Sequence, residues 1–219
     1  MVKYFTIMGE RCSGTTFLEQ AIKKNFELEF IWHYGYKHFY GHYNFNKKNP
    51  IIENDDEVLF LGIIREPISW INSFYDKKYH IPNKNKKNIK SFLFNEFYSV
   101  DDNNNEILED RNYENNERYK NIFEMRYLKN KYLIDHSKKV KNYLLIRYED
   151  LKYNYINLLN FIQKKFNLKR LHENFIKINS YKGQGSKLFI ENKIKLKNEI
   201  IKIIQDNLNH EQEKSLGYI

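Results

Sequence analysis

The stretch Ile7-Met8-Gly9-Glu10-Arg11-Cys12-Ser13-Gly14-Thr15-Thr16-Phe17-Leu18 constrains the fold more than any other part of the chain. The apolar run Tyr4–Met8 reads as a buried strand, and Thr15–Asn25 as the helix that follows it. Between them, Gly9 and Gly14 have the glycine spacing of the G-x-x-x-x-G-K-[ST] phosphate loop. In such a turn consecutive N–H groups curl around an anion at the positive end of the helix dipole. Thr15 stands where that motif has its lysine. The expectation is a strand, an anion-binding turn and a helix, without the lysine of triphosphate chemistry.

Other segments extend the alternation. Residues 28–32 predict a short second strand, and the aromatic, glycine-containing 33–43 a loop. Val58–Ile64 (VLFLGII) is a continuous apolar run, as for a central parallel strand buried on both faces. Pro67 opens a helix on which Trp70 and Phe74 share one face and Ser69 and Ser73 another. A helix is expected around 91–98, an amphipathic helix over 119–133 and a strand over 141–146. Helices over 154–166 and 191–208 follow, with a glycine-containing loop, 181–187, between them. The fold class is therefore α/β: three layers, with a central, largely parallel sheet flanked by helices.

With 219 residues the chain reads as a single domain, residues 1–219. Residues 101–118 are acidic and Asn-rich and predict a mobile surface insertion. A net charge of +9 suits a polyanionic ligand, although most of the lysines read as solvated surface. Cys12 is the only cysteine, so no intramolecular disulfide forms and a reducing compartment is natural. The first strand begins close to Met1, and no apolar run approaches membrane-spanning length. The expectation is a cytoplasmic protein without a membrane span.

The SGTT core after a strand, with Arg11 just before it, resembles the 5′-phosphosulfate loop of the sulfotransferases that use 3′-phosphoadenosine 5′-phosphosulfate (PAPS). Two more segments are similar to that family. Arg65 ends the VLFLGII strand and Ser73 lies eight positions on, like the pair that grips the 3′-phosphate. Tyr181-Lys182-Gly183-Gln184-Gly185 resembles the late loop that closes over the same phosphate. The resemblance implies that Gly9, Arg11, Cys12, Ser13, Gly14, Thr15 and Thr16 hold the phosphosulfate. It assigns Arg65, Ser73, Lys182 and Gly183 to the 3′-phosphate. The segment 144–151 (LLIRYEDL) also resembles the family; there Glu149 and Asp150 are read as helix-start acids, not catalysts.

Sulfuryl transfer is an in-line displacement, with needs like those of phosphoryl transfer: a base for the acceptor proton and cations for the leaving oxygen. His38 is the first candidate base, followed by His33, with Glu10 as a carboxylate alternative. Lys37 would steady the sulfuryl oxygens. Many family members carry a lysine directly before S-G-T; Cys12 occupies that position here, and Arg11 is the nearest substitute. The family needs no metal, and the glycines at 35 and 41 argue against a His38–His42 metal site. The implied donor is PAPS, with 3′-phosphoadenosine 5′-phosphate (PAP) as product, and the acceptor a small molecule or glycan. A P-loop kinase is disfavoured, because Thr15 replaces its lysine and Arg65 stands where a magnesium-binding acid is wanted. Nucleic acid is a disfavoured partner, since no recognition module accompanies the basic 77–90 stretch. The main alternative is a sulfotransferase-like protein that binds a nucleotide or polyanion without catalysis.

Overall fold

The computed structural model describes residues 1–40, 55–180 and 195–219. The fold is α/β, with four parallel strands flanked by helices. In chain order the elements are β1 (Tyr4–Met8), α1 (Thr15–Asn25), β2 (Glu29–Phe30), β3 (Val58–Ile64), α2 (Pro67–Lys77), α3 (Ile89–Phe94), β4 (Ser99–Val100) and β5 (Glu106–Ile107). There follow α4 (Ile122–His136), β6 (Tyr143–Arg147), α5 (Tyr148–Tyr153), α6 (Tyr155–Phe166), α7 (Asn198–Asn207) and α8 (His210–Ser215). The chain groups into two compact units. Among the described residues the first holds 1–37, 55–65 and 133–180, and the second 38–40, 66–132 and 195–219.

The first unit contains the sheet, in the order β2-β1-β3-β6. β1 pairs with β3 from Tyr4↔Val58 to Met8↔Gly62, and β3 pairs with β6 from Phe60↔Tyr143 to Ile64↔Arg147. All seven β3 residues are buried, which is why its sequence does not alternate. Phe5, Ile7, Leu59, Leu61, Ile63 and Ile146 pack with Leu18, Ala21 and Ile22 of α1, Leu151 of α5, and Leu159 and Ile162 of α6. On the opposite side of β3, Phe60 and Tyr143 both meet the His136 ring edge-on, and the Tyr143 hydroxyl donates to the Leu133 carbonyl at 2.6 Å. After β1 the chain crosses to β2 on one side, while β3 lies on the other. The carboxyl ends of β1 and β3 therefore flank a topological switch point, where open α/β sheets collect their ligands.

The longest stretch of the second unit starts at Glu66. Its carboxylate accepts from the amides of Ile68 (2.9 Å) and Ser69 (2.6 Å), and Pro67 fills the first helical position of α2. Trp70, Phe74, Phe92 and Phe97 form an aromatic core there. β4 and β5 pair antiparallel within the segment that includes 101–118. Arg118 binds Glu106 and Glu96, and its hydrogen bonds hold both carboxyls below their usual range. Asp110 from this segment is buried against Ser99 and Lys129.

Several boundaries differ from the sequence expectation. α4 runs three residues later at both ends and is not amphipathic. Glu124, Tyr127, Lys131 and Asp135 form a narrow solvent stripe, but the buried side carries Arg126, Lys129 and His136 beside Ile122, Met125, Tyr132 and Leu133, so polarity does not separate the two sides. Its charges enter the interior because each finds a partner, Arg126 on Glu213 at 2.6 Å and Lys129 on Asp110. The helix expected over 91–98 starts earlier and stops at Phe94. β6 lies at Tyr143–Arg147, and the last helical stretch is α7 from Asn198 with α8 after it. Among the described residues no helix is long and apolar enough to cross a membrane.

Burial pushes the phenols of Tyr132 and Tyr155 up to about 12. A raised folded-state value leaves stability intact below the ordinary value of 10.0 and removes it as pH rises toward 12. Alkaline titration followed by tyrosinate absorbance is expected to show late phenols, Tyr132 and Tyr155 among them, whose ionisation coincides with unfolding. Ionisation of all the tyrosines before unfolding would contradict this.

Candidate functional site

β1 ends at Met8, and the next residues turn sharply. A side chain on Gly9 would lie 2.6 Å from Ile63 Cγ2 and 2.7 Å from the Ile63 carbonyl, so only glycine lets the two strand ends come this close. Cys12 and Gly14 both adopt left-handed backbone, with φ of 65° and 98°. The amide and hydroxyl of buried Ser13 both donate to the Glu10 carbonyl and close the turn. α1 then starts with no side chain capping it, so the amides of its first turn lack intrahelical acceptors. A glycine-tight loop before an uncapped helix N-terminus has a geometry that can receive a phosphate or sulfate group.

Three cations lie at this loop. Arg65, directly after β3, donates from Nη1 to the Cys12 carbonyl at 3.0 Å, with its guanidinium 4.6 Å from the ring centroid of Tyr148. Lys37 follows the 33–36 loop. Its carbonyl accepts from the Gly9 amide at 2.9 Å, and its Nζ donates to Thr16 Oγ1 and Glu19 Oε2, both at 3.2 Å. Arg11, 2% exposed, gives its Nε and its amide to Glu10 Oε1, at 2.6 and 2.7 Å. Glu10 pairs with Arg11, and Glu19 with Lys37. Arg65 has the Cys12 carbonyl and the Tyr148 ring among its neighbours.

No protein-family model, curated protein or solved structure matches this chain. The reading of the site therefore rests on its own residues.

The first unit brings together Gly9, Arg11, Cys12, Ser13, Gly14, Thr15, Thr16, Lys37 and Arg65. His38 and Ser73 belong to the second unit. The His38 carbonyl accepts from Lys129 Nζ at 2.7 Å. Ser73 is buried on α2 beside Asn72, whose Oδ1 accepts from the Lys195 amide at 2.9 Å. Lys182, Gly183 and His42 lie outside the described residues. Among the described residues no group of three His, Cys, Asp or Glu side chains is arranged to hold a metal ion.

Two residues of the site carried no signal in the sequence. Glu19 sits one turn into α1 and bonds both Lys37 and Lys23. Tyr148 opens α5 and fills the space beside Gly14. Its neighbours Glu149 and Asp150 occupy the first turn, but no side chain caps that helix, and Asp150 instead takes Arg147 at 3.0 Å. The YED segment was legible as a helix start. The part of it that meets the loop is the tyrosine.

Proposed function

We propose that the chain is a PAPS-dependent sulfotransferase that moves a sulfuryl group to a hydroxyl or amine of a small-molecule or glycan acceptor. The observation that carries this reading is a glycine-tight loop with no lysine of its own at the β1/β3 switch point, with an arginine from the end of β3 bonded to its backbone. A cradle of this kind suits a sulfate or phosphate ester without a triphosphate-binding lysine. The resemblance of SGTT, of Arg65 with Ser73, and of Lys182-Gly183 to the sulfotransferase motifs points to the same donor.

Bound PAPS would supply the activated sulfuryl group. The chain's residues then have four tasks. Within 9–16, the amides of Gly14, Thr15 and Thr16 at the start of α1, with the helix dipole, hold the phosphosulfate end. Arg65, Ser73, Lys182 and Gly183 take the 3′-phosphate, where a guanidinium offers two parallel donors. Lys37, held by Thr16 and Glu19 beside the loop, compensates charge at the oxygens that become more negative, a task that Arg11 shares. His38 removes the acceptor proton; its main chain is anchored by Lys129. Exposed Trp32 and Tyr36 stack at 5.8 Å close to Lys37 in sequence and offer a flat apolar surface for an acceptor ring.

A second reading has one observation in its favour: Cys12 stands where many sulfotransferases have their loop lysine. Under it, the cradle binds the nucleotide and no transfer follows.

Calorimetric titration with PAP, against 5′-AMP and Mg²⁺–ATP, tests the donor site. PAP is expected to bind best, without metal, and Arg65→Ala to weaken it by roughly 100-fold, the loss of a charge-assisted bidentate contact. Preference for Mg²⁺–ATP, or unchanged PAP affinity in Arg65→Ala, would overturn the assignment. Turnover with PAPS in an acceptor screen then separates the enzyme from the binding protein.

A further inference from the structure

We infer that Tyr148 is a positioning residue for the anion site, its ring holding the Arg65 guanidinium at the 9–14 loop; the inference rests on the donor site proposed above. Three strand ends meet here. β1 opens into the loop, β3 ends beside Arg65, and Tyr148 directly follows β6. The Tyr148 ring lies under the guanidinium, 4.6 Å from its Cζ, while Arg65 Nη1 reaches the Cys12 carbonyl at 3.0 Å. The same ring occupies the volume that a side chain on Gly14 would need, with Cε2 3.0 Å from that Cβ position and Cδ2 closer still. One aromatic ring therefore touches both the cation and the glycine that opens α1.

The consequence is pre-organisation. An arginine at a strand end has several rotatable bonds, and ordering it when the anion arrives costs affinity. Stacked on an aromatic face and bonded to the loop backbone, it is ordered beforehand. The stack needs the ring face, not the phenol hydroxyl, so phenylalanine is expected to replace tyrosine and leucine is not.

Cys12 makes the test independent of turnover. It is the only cysteine, it is half-buried, and its carbonyl is the one that Arg65 holds, so its alkylation rate by iodoacetamide reports the loop. Wild type, Tyr148→Phe and Tyr148→Leu are compared by that rate and by titration with PAP and with inorganic pyrophosphate. Tyr148→Phe is expected to stay within about twofold of wild type, and Tyr148→Leu to lose roughly tenfold in anion affinity and to alkylate faster. Wild-type affinity and rate in Tyr148→Leu overturn the proposal. So does a Tyr148→Phe variant as impaired as Tyr148→Leu, which would make the hydroxyl the active part. Should Tyr148→Leu not fold, Arg65→Met leaves the ring in place and must accelerate alkylation; an unchanged rate also overturns it. If wild type binds pyrophosphate but not PAP, the sulfotransferase reading falls, and Tyr148 stands or falls on the pyrophosphate titrations. Binding of neither ends both.

Discussion

Alanine at position 14 is expected to abolish PAP binding and to lower the free energy of unfolding by ~2–5 kcal/mol. Two costs add. Gly14 has φ of 98°, a backbone in which an L-residue is disfavoured by about 1–2 kcal/mol. A Cβ there also collides with the Tyr148 ring, and overpacking of this kind costs about 1–3 kcal/mol. Tyr148 has little room to retreat, because it is buried in the core that Leu151, Tyr155 and Ile146 share. Any retreat moves Arg65 with it and pulls on the Cys12 carbonyl. Urea unfolding together with PAP titration measures both losses. Gly62→Ala serves as the comparison, since its Cβ would strike the Tyr143 hydroxyl on the sheet. That variant should lose stability and keep its anion site. Wild-type stability in Gly14→Ala would mean that the loop does not require the left-handed turn.

The elements that could be read from the sequence are those whose pattern is local. β1, α1 and β3 fall on the residues expected, since an unbroken apolar run, a glycine pair and a strand-ending arginine need no distant partner to be recognised. Pro67 behaves the same way: its fixed φ marks the start of α2, and Glu66 caps it. What escaped depends on register between strands far apart in sequence. Tyr148 meets Gly14 because β3 pairs with β6 so that Ile64 faces Arg147, and no property of YED announces that pairing. Lys37 was picked out as a cation, but the Glu19 that holds it lies on another element and reads as an ordinary helix-surface acid. α4 misled for a related reason. A lysine or an arginine in a helix predicts a solvent-facing side, and only the partners show that Lys129 and Arg126 point inward.

That inward lysine gives the second large effect. Lys129→Met is expected to destabilise the protein by ~3–5 kcal/mol, because it leaves the buried Asp110 carboxylate without its ammonium. The loss should exceed that of any exposed ion pair, such as Lys138 with Asp135, where solvent screens the charges. Replacing both partners, Lys129→Met with Asp110→Leu, should recover much of the stability, since neither charge of this pair is then left in the interior. The double variant cannot restore the bond from Nζ to the His38 carbonyl. Stability and the geometry around His38 are therefore separable. Urea unfolding should rank wild type, double and single variant in that order, while the His38 ring resonances shift in both variants. Full stability in the single variant would show that Asp110 tolerates burial without Lys129. Unshifted His38 resonances would show that the proposed base is held by other contacts than this lysine.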